Sequence, residues 1–239
     1  MTTISPDSDI PKPTLLITGA GGLLGHALCE VARHGWEVYA LYHQRIPKVQ
    51  KIHTIQAELT DLETLTALFH NIRPKAVVHA AAAARLAECQ AQPHETEAIN
   101  VKAAVHMAQL CADLGSDLCF TSTDLVFNGL KSPYTESAVP SPVCTYGRQK
   151  ARAESEILQY DPQALVCRLP LLIGWAPQSE ANFTVQMIDA LVHNRPLALF
   201  VDEYRTPVDA LSAALAILGP VGACAGRAAS WWENTDFAL

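Results

Sequence analysis

A tyrosine and a lysine stand four residues apart in CTYGRQKARAE (144–154), a spacing that puts Tyr146 and Lys150 on one face of a helix. A surface helix has no need of a phenol beside an ammonium, whereas a group that moves a proton does. A free phenol titrates near 10. A neighbouring ammonium favours the phenolate and lowers that value, which predicts a tyrosine usable as an acid or base at neutral pH. Gly147 weakens the helix between them and suggests room for a ligand. About 23 residues upstream, Ser122, Thr123 and Asp124 close a β-rich run. A hydroxyl at a strand end can hydrogen-bond a carbonyl oxygen and share its developing charge.

A second chemical feature lies near the start of the chain. TGAGGLLG (18–25) carries glycines at 19, 22 and 25 between a strand pattern and a helix pattern. Such a turn lets the backbone approach a pyrophosphate and aims helix N–H groups at it. It is neither the strict GxGxxG pattern nor a P-loop, because Leu24 stands at one required glycine and no GK[ST] follows. The next strand ends LYHQRIPK, with His43, Arg45 and Lys48 and no carboxylate between Glu37 and Glu58. A carboxylate there would accept from a ribose 2′-hydroxyl, and a guanidinium would bind a 2′-phosphate, so the expectation is NADPH, with NADH open.

The elements that must position these groups alternate between strand and helix, which predicts βαβ units and a parallel sheet. Strands are expected at 14–19, 36–43, 51–58, 75–82, 117–123 and 164–172. Asp61 caps a helix that stops before Pro74. A long helix is expected from about Pro93 to Leu114, ended by Gly115, and Ser141-Pro142 reads as the start of the helix carrying Tyr146. After the sixth strand come a helix near 180–194, a short strand LALF (197–200) and a helix near 208–218. The predicted fold class is α/β, a Rossmann-type doubly wound parallel sheet with a small, incomplete C-terminal substrate domain. The expected boundaries are 1–12 for a disordered lead-in, 13–170 for the cofactor domain, 171–218 for a partial substrate domain and 219–239 for an irregular tail.

Composition sets the outer limits. With 49% apolar and 17% charged residues, the chain can bury a sizeable core. A formal charge of −7 opposes binding of nucleic acid through its phosphates. No apolar run suits a membrane span and no secretion signal opens the chain, so a cytoplasmic protein is expected. Seven cysteines without a CxxC pair read as reduced thiols. HETEA (94–98) has Ala98 where a zincin helix needs its second histidine, so no metal is expected. NFT (182–184) matches a glycosylation acceptor that stays unmodified without secretion. His79 reads as a satisfied wall of the cofactor site.

Taken together, TGAGGLLG, STD and YGRQK resemble the extended short-chain dehydrogenase/reductase superfamily. STDLVFNGLKSPYTESAVPSPVCTYGRQKARAE (122–154), RPKAVVHAAA and EAINVKAAVHMAQLC resemble the dTDP-4-dehydrorhamnose reductase family within it. The resemblance runs from about residue 14 to about 218. It implies reduction of a nucleotide-linked 4-keto-6-deoxy sugar, with hydride from NADPH and the proton from Tyr146. Lys150 would hold the nicotinamide ribose and lower the tyrosine pKa, Thr123 with Ser122 would bond the reacting oxygen, and Asn100 would support a water-linked proton relay. The implied cofactor cradle is Gly19, Gly22, Leu23, Leu24, Gly25, His43, Arg45, Ala80, Ala81, Tyr146 and Lys150. Asn182, Phe183 and Arg205 fall on the substrate side, and a homodimer is compatible with the pattern.

Two departures from the family qualify this. The stretch after the fourth strand reads AAAARLAECQAQP where the family is commonly aromatic and acidic. Beyond the TPVDAL helix the chain continues for only about 28 residues, so the cofactor half is expected to be complete and the substrate half partial. Two other functions follow the same residues. One is a non-catalytic NADP-binding subunit such as the β subunit of methionine adenosyltransferase, which resembles the same reductases. The other is a sugar-nucleotide epimerase or dehydratase.

Overall fold

A computed structural model describes residues 11–177, 182–199 and 201–224. Six parallel strands form one sheet: β1 (Thr14–Thr18), β2 (Glu37–Tyr42), β3 (His53–Gln56), β4 (Ala76–His79), β5 (Asp117–Thr123) and β6 (Leu165–Leu169). Their order is β3-β2-β1-β4-β5-β6, so the direction of winding reverses between β1 and β4. In doubly wound sheets the crevice beyond the strand ends at that switch point is where ligands bind.

Alternation along each strand feeds two cores. Leu15, Ile17, Val38, Ala40, Val78 and Cys119 pack under α1 (Leu23–Ala32) and α8 (Ala210–Cys224). Leu16, Leu41, Val77, Leu118 and Phe120 face the opposite layer, where Phe69 of α2 (Leu62–Ile72), Met107 of α5 (Ala104–Leu114) and Ile157 of α6 (Thr145–Tyr160) cover them. Strands buried on both faces are largely apolar, as β4 is from Ala76 to Val78 before the buried His79 at its end. Asp61 caps α2 as expected, accepting from Thr64 N–H at 3.0 Å.

Several elements differ from expectation. The long helix expected from Pro93 is three joined pieces, α4 (Pro93–Glu97), a π-helical turn (Ala98–Ala103) and α5, and a further short helix, α3 (Leu86–Ala91), precedes it. The helix bearing Tyr146 starts at Thr145, not at Ser141-Pro142, because Ser141 N–H is committed to the Val126 carbonyl at 2.8 Å. Its N-cap is Cys144, whose Sγ accepts from Gly147 N–H at 3.3 Å.

The sixth strand splits at Pro170, which cannot donate to a ladder. The remainder, β7 (Leu172–Ile173), pairs in parallel with β8 (Val208–Asp209) in a separate two-stranded sheet. Residues 197–199 are not a strand, and Phe200 lies outside the described residues. The helix expected near 180–194 is α7 (Phe183–Val192). α8 runs on to Cys224, past the expected tail boundary at 219. Ile217, Leu218 and Val221 are buried in the α1 core, and the helix runs through Pro220. Residues 1–10 of the lead-in and 225–239 of the tail lie outside the described residues. No helix among the described residues is long and apolar enough to cross a membrane.

Candidate active site

The glycine turn joins β1 to α1 at the switch point. Gly19 has φ +70, a conformation that favours glycine. A Cβ on it would sit 2.7 Å from Ala81 N, so the turns after β1 and β4 meet backbone to backbone. A Cβ on Gly25 would run into the Gly19 carbonyl, and one on Gly21 into the Arg45 carbonyl. Gly22 N–H donates to Gly19 O at 2.9 Å, and His26 N–H returns to Gly22 O at 2.9 Å. The first turn of α1 thus presents its leading N–H groups without an acidic side chain beside them.

Beside this turn lies a cleft of about 320 Å³. Of the expected cradle, Gly19, Gly22, His43, Arg45, Ala80 and Ala81 line it. Leu24 is buried in the core and Leu23 packs against it, so these two can serve a ligand only through their backbone. The cradle, the helix start and the cations at the end of β2 fit a phosphate-bearing dinucleotide. The sequence reading missed Gly21, Glu58 and Leu59, which also line the cleft. Glu58, which bounds the carboxylate-free stretch of the sequence, follows β3 and faces His43, Nε2 to Oε2 3.2 Å. Its position just past the end of the strand beside β2 was the available signal.

At the other side of the switch point, α6 lies across β5. Gly147, Lys150, Ala153, Glu154 and Ile157 form its buried face, and Tyr146 is partly buried. Gly147 makes no room for a ligand, in contrast to the expectation; a Cβ there would run into the Leu125 carbonyl, so its role is close backbone packing. Lys150 Nζ sits 3.9 Å from the centroid of the Phe120 ring, a cation–π contact. Burial lowers its pKa to about 7, opposed by the Glu154 carboxylate.

Tyr146 also departs from expectation. Burial, with the neighbouring Cys89, Asp124 and Cys144 groups, pushes its phenol up rather than down. The phenol is therefore held protonated at neutral pH, the form that gives a proton. His79 also stacks on Phe120, with ring centroids 5.7 Å apart. His79 Nδ1 meets Thr18 Oγ1 at 2.7 Å, Ala81 N–H donates to that hydroxyl at 3.2 Å, and His79 Nε2 is buried without a partner. Burial and Lys150 lower its pKa to about 3, so it is neutral and half-satisfied, and it does not line the cleft.

The two hydroxyls at the end of β5 separate. Ser122 turns to α6 and donates to Glu154, whose carboxylate is also held by Arg168 Nη2 at 2.7 Å. Thr123 caps a 3₁₀ turn (Asp124–Val126), accepting from Leu125 N–H at 3.2 Å and donating to Asp124 at 3.1 Å. Ser122 is thus part of a buried ion-pair cluster, while Thr123 stays beside the Asp124 carboxylate that also acts on Tyr146. The Glu154–Arg168 pair was missed because nothing in the local sequence around 154 or 168 announces a partner.

Asn100 sits in the π-helical turn and is buried. Its amide accepts from Ala83 N–H at 2.9 Å and donates to Ala83 O at 3.0 Å and Gln149 Oε1 at 2.8 Å. These bonds tie the loop that follows β4 to α6. On the substrate side, Arg205 reaches Asp124 with Nη2 at 3.2 Å, which joins it to the Tyr146 region. Asn182 caps α7 through Val185 N–H at 2.9 Å, and Phe183 is exposed. Among the described residues no three His, Cys, Asp or Glu side chains gather as a metal site.

A family model described as the RmlD substrate binding domain matches residues 13–230. The methionine adenosyltransferase 2 subunit beta of Rattus norvegicus is 34% identical over 188 residues, 78% of this chain and 55% of that protein. The chain thus spans about half the length of such curated relatives. A hypothetical dTDP-4-dehydrorhamnose reductase from Sulfolobus tokodaii superposes with a TM-score of 0.78 at 27% identity, over 88% of this chain and 73% of that one. A dTDP-4-dehydrorhamnose reductase from Bacillus anthracis, solved in complex with NADP, has a TM-score of 0.78 at 22% identity, covering 90% and 72%, a likeness of fold.

Proposed function

Because the chain belongs to the RmlD substrate binding domain family, we propose that it is an NADPH-dependent reductase of a nucleotide-linked 4-keto-6-deoxy sugar. The observation that supports this reading is a glycine-cradled cleft at the switch point of the sheet, in a chain that carries Tyr146 and Lys150 on α6 and Thr123 at the end of β5; these three do not themselves line the cleft. When bound, the cofactor supplies hydride.

The chain's own residues do the rest. Gly19, Gly22 and the leading N–H groups of α1 hold the pyrophosphate, and His43 and Arg45 face the adenosine ribose. Lys150 holds the nicotinamide ribose, Thr123 bonds the carbonyl oxygen of the sugar, and Tyr146 gives that oxygen its proton. The raised phenol pKa suits a donor in the reducing direction. Residues 13–170 form the cofactor domain and 171–218 belong to the substrate side, where Arg205, Asn182 and Phe183 meet the nucleotide-sugar. Rhamnose and polysaccharide synthesis in the cytoplasm is the matching setting.

The test is loss of NADPH absorbance when dTDP-4-keto-6-deoxy sugar is added to the protein. Turnover that falls at least about a hundredfold in Tyr146→Phe, with NADPH binding retained, supports the reductase. A second reading is favoured by the 34% identity to the methionine adenosyltransferase β subunit. In it the same cleft binds NADP and the chain serves a partner enzyme. NADPH binding without turnover, together with capture of a methionine adenosyltransferase catalytic subunit, would establish that reading instead.

A further inference from the structure

The outer end of the cleft holds a pair of opposite character that the hydride and proton chemistry does not use. His43 Nε2 lies 3.2 Å from Glu58 Oε2, and Gln56 Nε2 donates to the His43 carbonyl at 2.8 Å. The end of β2 is therefore stitched twice to the end of β3. Arg45 lines the same wall, its carbonyl held where a Cβ on Gly21 would strike it. Two nitrogen groups and one carboxylate thus face a single volume.

Two substituents on an adenosine ribose ask opposite things of that volume. A 2′-phosphate carries negative charge and needs the imidazole and guanidinium. A 2′-hydroxyl is a neutral donor and needs a carboxylate. Glu58 engages His43 and opposes an incoming phosphate; His43 in turn occupies the carboxylate and withholds it from a hydroxyl. We infer that Glu58, acting through its contact with His43, is the residue that sets the preference of this cleft between 2′-phosphorylated and 2′-hydroxylated dinucleotides. The inference rests on the reading of the cleft as a dinucleotide site. It differs from the sequence expectation in placing a carboxylate just past β3 in control of the nitrogen groups just past β2.

The side chains of His43 and Glu58 are 62% and 48% exposed, so water and salt screen them and the effects are a few-fold. The full chain is titrated by calorimetry at low salt with two probes that lack nicotinamide, adenosine 2′,5′-bisphosphate and adenosine 5′-monophosphate. Glu58→Gln raises the bisphosphate-to-monophosphate affinity ratio about fivefold. His43→Gln lowers it by a similar factor, and both changes shrink in half-molar salt. If the wild-type chain binds both probes and neither variant moves the ratio, or each variant weakens both probes equally, the selector role is overturned while the dinucleotide reading stands. If neither probe binds the wild-type chain, the dinucleotide reading falls and the selector with it.

Discussion

The helix that carries the proposed proton donor and the helix on the proposed substrate side are packed in contrasting ways. In α6, Lys150 and Glu154 are buried along with Ala153 and Ile157, and each charge has a built partner in Phe120 or Arg168. In α7, Ala190 is the buried residue, while Leu191 and Val192 are each 73% exposed. The two ends of the chain's chemistry therefore sit in unlike surroundings. The first is fixed by a two-sided core. The second is tied on by β7 and β8, by Thr184 Oγ1 accepting from Gly174 N–H at 3.1 Å, and by Arg205 on Asp124. On the proposed reading, cofactor binding should survive changes on the exposed face of α7, whereas Arg205 links the substrate side to Asp124.

The largest expected effect sharpens the packed side. Lys150 has a pKa of about 7 against 10.5 for an ordinary lysine, so its burial disfavours the charged form. A depressed lysine pKa in the folded state means that the unfolded chain binds more protons between those values. The penalty is full below about pH 7 and fades as the pH rises towards 10.5, at about 1.4 kcal/mol per unit. Lys150→Met should stabilise the protein by about 3 kcal/mol near neutrality, after loss of a cation–π contact worth about 1 kcal/mol. Urea unfolding of both proteins at pH 6.5, 8 and 10 measures this. A gain that does not shrink with rising pH would show that the lysine is solvated and that α6 is looser than described.

Glu154→Gln tests the same helix from its other buried charge. It leaves Arg168 without a counter-charge and weakens the bond to Ser122. Breaking a buried pair costs about 3–5 kcal/mol, and the partial exposure of Arg168 reduces that to about 2 kcal/mol. Chemical denaturation reads the loss. A cost no larger than that of an exposed pair would remove the claim that this cluster fixes α6 against β5.

How far the sequence reached follows the same division. The strands β1 to β6, the Asp61 cap and the face shared by Tyr146 and Lys150 were legible, because each depends on short-range periodicity or spacing. Tertiary facts were not. Gly147 looks like slack until the Leu125 carbonyl is seen against it, and Ser122 looks like a catalytic hydroxyl until Glu154 claims it. The phenol of Tyr146 was expected to fall because Lys150 is close in sequence. It rises because burial raises it, with Cys89, Asp124 and Cys144 adding to the effect. Cys144 as a cap and the break at Pro170 show the limit at element ends, where a thiol replaced the usual hydroxyl and one proline divided two sheets.

The smallest expected effect lies on α7, and it puts the contrast at greatest risk. Leu191→Ser and Val192→Ser change apolar groups that are already in water, so each should cost less than about 0.5 kcal/mol. The matched change Ile157→Ser in α6 removes a fully buried side chain and should cost at least about 3 kcal/mol. Unfolding midpoints at two protein concentrations separate the cases. If the α7 variants lose more than about 1 kcal/mol, and the loss grows with concentration, the exposed face of α7 is covered by a second copy in solution. Substrate-side order would then come from assembly. If the loss is small and independent of concentration, α7 stands uncovered as drawn, and the proton-transfer side is the better-packed part of the chain.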